Sequence, residues 1–201
     1  MHVQAPSRYF DRDFRVESVK ILPGQYHASA AHGSITTVLG SCVSTCLWDP
    51  VQRVGGMNHF MLPGDASAAA SPSGVSARFG VYAMELLINE MVHLGADRRR
   101  LVAKVFGGAR VLQGFERLDV GALNCQFVLN FLQEEGIQLL AKDLHGTAPR
   151  KVHFFPATGK VQMKRLHLQP IDAIERQERE YLRSIAGGTA AGDVEIFGEA
   201  R

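Results

Sequence analysis

The sequence predicts an α+β protein, a layered sandwich of β-sheet and helices. Short β-branched and apolar runs of strand length are interspersed with two longer runs whose apolar residues recur at helical spacing. Strands and helices follow one another without a regular βαβ alternation, which argues against a doubly wound parallel sheet. At 201 residues with 46% apolar and 21% charged content, the chain is long enough for one domain with a real core.

Residues 1–15 are polar and charged and read as a partly ordered N-terminal segment. From Glu17 the chain reads as strand, turn, strand. The run VKIL precedes the turn pair Pro23-Gly24, and QYHASAAHGSITTVLG ends as a strand at Thr36, Thr37 and Val38. Residues 43–48, VSTCLW, fit either a buried strand or the first turns of a helix, which periodicity does not separate. Asp49-Pro50 stops that element, and Gly56–Leu62 is strand-like. Small and polar residues over 63–78 predict a loop. Met84, Leu87, Ile88, Met91 and Val92 give a helix over 81–94, closed by Gly95.

A strand over 101–106 runs into Gly107-Gly108. A second helix over about 122–135 carries Leu123, Phe127, Val128, Phe131 and Leu132 on one face. IQLLAKDL is a strand, and 151–168 a hairpin turning at Thr158-Gly159. The central domain spans 16–168, followed by a polar C-terminal helix within 169–185 and a Gly- and Ala-rich flexible tail over 186–201.

A net charge of +2 is too small to imply a nucleic-acid or acidic-lipid surface. Arg98-Arg99-Arg100 is the one tight basic run, read as a solvated stretch rather than a phosphate site. No stretch approaches the ~20 apolar residues of a membrane helix, and the N-terminus lacks a signal-peptide pattern. Three cysteines, Cys42, Cys46 and Cys125, without a secretory signal suggest reduced thiols in the cytoplasm.

Chemistry concentrates in Thr36–Cys42 and Gly55–His59. A cysteine attacks as thiolate and needs a base, a cation or free N–H groups beside it. Cys42 follows Gly40-Ser41, small residues that allow close backbone approach, and N–H groups around Gly40, Ser41 and Cys42 could hold an oxyanion. His59, on the next strand-like run, is the candidate base. Thr36 is the candidate for orienting its ring, although the residues alone do not separate it from Thr37. Each residue has a bland reading as well: Cys42 as a small buried hydrophobe, His59 as a satisfied core residue. Cys46 and Cys125 read as core. C-x3-C without a second ligand cluster is a poor metal signature, so no metal or cofactor is expected.

The blocks Thr36-Thr37-Val38-Leu39-Gly40-Ser41-Cys42-Val43, Cys46-Leu47-Trp48-Asp49 and Gly55–Pro63 (GGMNHFMLP) resemble the signature of the CheD family of chemoreceptor glutamine deamidases. Pro23–Tyr26, Tyr82-Ala83, Lys104–Ala109 and Thr158–Val161 extend the resemblance over roughly residues 16–166. The resemblance implies a fold akin to the cysteine hydrolase domains of deamidating toxins. It implies hydrolysis of selected glutamines of methyl-accepting chemotaxis receptors, with a catalytic Cys42, His59 and Thr36. A CheC-type phosphatase is an implied partner. Asp143-Leu144-His145-Gly146 departs from the acidic-residue and paired-glycine pattern of many members. Two other functions remain compatible with the residues: a thiol-dependent receptor methylesterase, and a regulatory binding module for receptors or a phosphatase.

Overall fold

A computed structural model of the chain describes residues 5–63, 75–111, 119–166 and 171–187. Ten strands form two five-stranded sheets. The first sheet comprises β1 (Ser7–Asp11), β2 (Val16–Lys20), β4 (Ser34–Leu39), β9 (Arg150–Phe155) and β10 (Lys160–Arg165), in that spatial order. The second has the order β3 (Tyr26–Ser29), β6 (Val54–Asn58), β5 (Val43–Asp49), β7 (Val102–Gly107) and β8 (Gln138–Leu144). Pairing is antiparallel except for β2 with β4 and β7 with β8. Three α-helices complete the described residues: α1 (Val75–His93), α2 (Val120–Glu134) and α3 (Ile171–Gly187).

Side-chain alternation on the second sheet explains the layering. Along β5, Val43 and Leu47 join one core with Leu87, Ile88 and Met91 of α1 and Val128 and Phe131 of α2. Cys42 and Cys46 join the other core with Ile35, Leu39, Val152 and Phe154 of the first sheet. Successive residues of a strand point to opposite faces, so the second sheet is a middle layer, apolar on both sides. Its glycines mark the closest approaches. A Cβ at Gly56 would meet Leu87 Cδ1 at 2.5 Å, and one at Gly55 would meet Phe154 Cζ at 2.7 Å.

The layered α+β class holds, and the structure resolves several readings that sequence left coarse. Residues 43–48 are strand, not helix. The run after Pro23-Gly24 is two strands in different sheets, β3 and β4. Residues 7–11 form an edge strand paired with β2, where a polar sequence suggested only partial order. Asp11 anchors the turn after it, accepting from the backbone N–H of Asp13 and Phe14. Helix α1 starts at Val75, inside the segment read as loop. The rest of that loop, 64–74, and the tail from 188 lie outside the described residues.

The basic run is solvated at Arg99, which is 88% exposed and pairs with its neighbour Asp97, while the arginines on either side are tied to acidic residues distant in the chain. Arg98 pairs with Glu85 and Glu135, and Arg100 with Asp49 and Asp97. Asp49 is fully buried and also accepts from the N–H groups of Val51, Gln52 and Asp97. Burial opposes its charge, but Arg100 and these N–H donors hold its pKa well below the ordinary 3.8. At the departure noted above, Asp143 pairs with Arg150 and Arg165, and His145 takes a left-handed φ of 61°.

Asp49→Ala strands three N–H groups and is expected to cost about 2–4 kcal/mol in urea unfolding at pH 7. Arg98→Ala, at a half-exposed pair, should cost under about 1 kcal/mol. Because the folded Asp49 pKa lies below its unfolded value, its contribution is complete above pH 3.8 and is lost as pH falls below it.

Candidate active site

Cys42 lies where the chain leaves one sheet for the other. Residues 40–42 join β4 of the first sheet to β5 of the second, so their N–H groups enter neither ladder. Their carbonyls are tied down instead: Gly40 O accepts from Ala109 N and Cys42 O from Gly108 N, both at 2.8 Å. Ser41 O accepts from Asn124 Nδ2 of α2 at 2.9 Å, and Asn124 Oδ1 accepts from Leu62 N at 2.8 Å. With every carbonyl fixed, the three N–H groups are held facing the site.

Glycine is required where these strands meet. Gly107 has φ 117°, and a Cβ there would lie 2.2 Å from Cys42 O. Gly108 has φ 66°, and its Cβ would lie 2.1 Å from Cys125 Sγ. Both carry the left-handed conformation that glycine adopts without steric cost.

The N–H groups converge on a carboxylate. Glu178 of α3 accepts from Gly40 N at 2.9 Å, Ser41 N at 2.9 Å, Cys42 N at 3.1 Å and Ser41 Oγ at 2.6 Å. All of these groups are buried. Successive N–H groups aimed at one anion form the geometry that stabilises an oxyanion.

His59 follows β6 and is held at both ends of its backbone. Its N–H donates to Gln25 O, and its carbonyl accepts from Gly24 N. Its Nδ1 lies 2.7 Å from Thr37 Oγ1. That hydroxyl donates its single proton to Ile21 O at 2.8 Å, so it must accept from His59. Nδ1 therefore carries the ring proton. Nε2 is left as an unprotonated, buried nitrogen with no hydrogen-bond partner among the described residues. Sequence reasoning favoured Thr36, but Thr36 Oγ1 donates to Val152 O at 3.0 Å on the other side of β4. Side chains alternate along a strand, so only one of two adjacent threonines can face the histidine.

Donor atoms of Cys42, His59 and Glu178 all lie within 4.8 Å of one another. Thiol, imidazole and carboxylate are ligands that zinc accepts. Here both carboxylate oxygens are already taken by N–H and O–H donors, a lining that favours an anion over a cation. Burial raises the Cys42 pKa well above the ordinary 9.0, and the Glu178 carboxylate raises it further. Burial lowers the His59 pKa to about 3, against a smaller upward pull from the Ile21 carbonyl. In this state the pair is a neutral thiol beside a neutral imidazole.

Cys46 and Cys125 are buried in the two cores, and all three cysteines are free. A cleft of about 180 Å³ opens beside Thr37 and His59, walled by Lys20, Leu22, Ile174 and Gln177.

A protein of Janthinobacterium sp. (strain Marseille) named probable chemoreceptor glutamine deamidase CheD is 49% identical over 193 residues, covering 96% of this chain and 95% of its own. One from Shewanella oneidensis, probable chemoreceptor glutamine deamidase CheD 1, is 50% identical over 194 residues, covering 96% and 94%. The family model described as CheD chemotactic sensory transduction matches residues 61–165. The chain belongs to the CheD family. The CheD model begins after Cys42 and His59, so the geometry above is what describes those two residues. The crystal structure of Bacillus licheniformis hypothetical protein YfiH aligns with a TM-score of 0.35 at 13% identity, over 59% of this chain and 49% of that one. That likeness is too slight to carry an argument.

Sequence reasoning missed Asn124 and Glu178. Each leaves a signal: a polar residue on the apolar stripe of a helix. Asn124 precedes Val128 and Phe131 by four and seven residues, and Glu178 falls between Ile174 and Tyr181.

Nitrogen-resolved NMR of the imidazoles should show His59 as the Nδ1–H tautomer and still neutral at pH 5, where an ordinary histidine is largely protonated. Because the folded value of about 3 lies below the unfolded 6.5, the contribution of His59 to stability is complete above pH 6.5 and falls as pH drops toward 3. The difference in urea stability between wild type and His59→Asn should narrow over that window.

Proposed function

We propose that this protein is a protein-glutamine deamidase acting on chemotaxis receptors. It would convert selected receptor glutamines to glutamate and release ammonia. One observation carries the chemistry. A thiol, the imidazole of a tautomer-fixed histidine and three convergent backbone N–H groups meet at one buried point. The substrate class comes from relatives of near-equal length, whose names read probable chemoreceptor glutamine deamidase.

The reaction is acyl transfer to Cys42. The substrate carboxamide oxygen sits against the N–H groups of Gly40, Ser41 and Cys42. His59 Nε2 takes the thiol proton as sulfur attacks the carboxamide carbon, and the oxyanion stays on the three donors, each typically worth ~3 kcal/mol. The imidazolium then protonates the leaving nitrogen, and ammonia departs. Water attacks the thioester with His59 again as base, leaving glutamate and the thiol. Thr37 orients the ring, holding Nδ1–H so that Nε2 faces the chemistry. The free cysteines suit a reducing cytoplasm, where receptor signalling domains lie. A CheC-type phosphatase as partner rests on the family resemblance.

The test is intact-mass analysis of a purified receptor cytoplasmic fragment after incubation with the protein. A gain of about one dalton per modified glutamine with ammonia release is expected, absent with Cys42→Ala and His59→Ala. Thr37→Val should slow turnover about 10- to 100-fold, because a misoriented base loses part of its general-base contribution. Thr36→Val should leave turnover within about threefold. Methanol release without a mass gain on glutamine sites would point to a methylesterase instead.

A further inference from the structure

Helix α3 is polar along most of its length, yet it is inserted by one face. That face carries Ile174, Glu178, Tyr181, Leu182 and Ile185, spaced as one stripe of a helix. Tyr181 and Leu182 pack on the core between the sheets, and Ile185 is buried. Tyr181 lies over Gly24, where an added Cβ would meet its hydroxyl oxygen at 2.7 Å. In the middle of this apolar stripe stands Glu178, only 2% exposed.

A buried carboxylate is costly unless its oxygens are satisfied. Here each oxygen accepts twice, Oε1 from Gly40 N and Cys42 N, Oε2 from Ser41 N and Ser41 Oγ. Three of these four, the backbone N–H groups, are the donors assigned to the reacting carbonyl oxygen. A deamidated glutamine is a glutamate, so Glu178 presents the functional group of the product, on a side chain of the product's length, within 4.8 Å of the Cys42 thiol and of His59.

Resting on the deamidase reading, we propose that α3 occupies the substrate's place as a built-in product analogue. The cleft would then accept a glutamine carried in the apolar stripe of an α-helix, and a helical substrate must displace α3 to react. The helical form follows from what the cleft already holds: apolar residues four before and three and four after the seated carboxylate.

Displacement also changes the nucleophile. Burial is the largest cause of the raised Cys42 pKa, and the Glu178 carboxylate the next. Exchanging that carboxylate for a neutral carboxamide removes the like charge next to the forming thiolate. The occupied state is thus closed sterically and electrostatically, and the substrate relieves both.

The decisive variant is Glu178→Gln in the full chain, which puts a carboxamide where the carboxylate sits. Cys42 attacks the carbon of that introduced carboxamide, ammonia leaves with the proton carried by His59, and water cleaves the thioester. One amide and one water become one carboxylate and one ammonia. The purified Glu178→Gln variant should therefore carry a glutamate at position 178 and the wild-type mass. The Cys42→Ala/Glu178→Gln double variant should keep its introduced amide and be about one dalton lighter than Cys42→Ala alone. Peptide sequencing should find Gln177, next to it on the helix, still an amide in both.

A second measurement uses Glu178→Ala, which should deamidate the receptor fragment several-fold faster than wild type. A synthetic peptide of residues 171–187 added back should slow it again. The proposal is overturned if the amide introduced by Glu178→Gln persists beside an intact Cys42, or if Glu178→Ala works no faster, while wild type deamidates the receptor fragment. If wild type modifies no receptor fragment, the deamidase reading itself fails. Thermal unfolding of both variants within a few degrees of wild type excludes misfolding as the cause of either result.

Discussion

The site depends on three N–H groups that have no place in either sheet. A buried N–H must find an acceptor, and those of residues 40–42 lose theirs because the chain crosses between two hydrogen-bonded layers there. The protein does not satisfy them with another strand. It fixes the neighbouring carbonyls through Gly108, Ala109 and Asn124, so that the N–H groups keep one direction. Whatever anion or carbonyl enters then meets donors already in position, which is the condition for stabilising charge without reorganisation. Glu178 fills that role in the resting chain.

The remaining architecture serves this crossing. The middle sheet is apolar on both faces, so β5 and β6 are held between the first sheet on one side and α1 and α2 on the other. Cys42 and His59 belong to the ends of these strands and inherit their rigidity. Apolar packing around them has an electrostatic consequence: burial disfavours both thiolate and imidazolium, leaving a neutral pair. The Ile21–Thr37–His59 chain places the ring proton on Nδ1 and leaves Nε2 unprotonated.

The ion pairs have a separate role. Asp49 and Arg100 join the end of β5 to the turn before β7, and Glu85 of α1 and Glu135 just past the end of α2 meet at Arg98. Two of three consecutive arginines, Arg98 and Arg100, thus became a junction between elements distant in sequence. In the linear chain it could only read as a charged stretch, because the acidic partners at 49, 85 and 135 are brought near by folding alone.

By itself the sequence determined the α+β class, because strand-length β-branched runs and two helical stripes are local patterns set by backbone geometry. It also singled out Cys42 and His59, since Gly40-Ser41-Cys42 and the GGMNH run are contiguous. Tertiary structure alone decided the rest. Thr36 and Thr37 are chemically equivalent neighbours, and which hydroxyl meets the imidazole depends on which face of β4 turns toward Ile21. Asn124 and Glu178 lie 82 and 136 positions beyond Cys42. Nothing local in a helix says what its buried polar residue will touch. That is fixed only when the helix packs, because hydrogen bonds are made by proximity in space and carry no memory of distance along the chain.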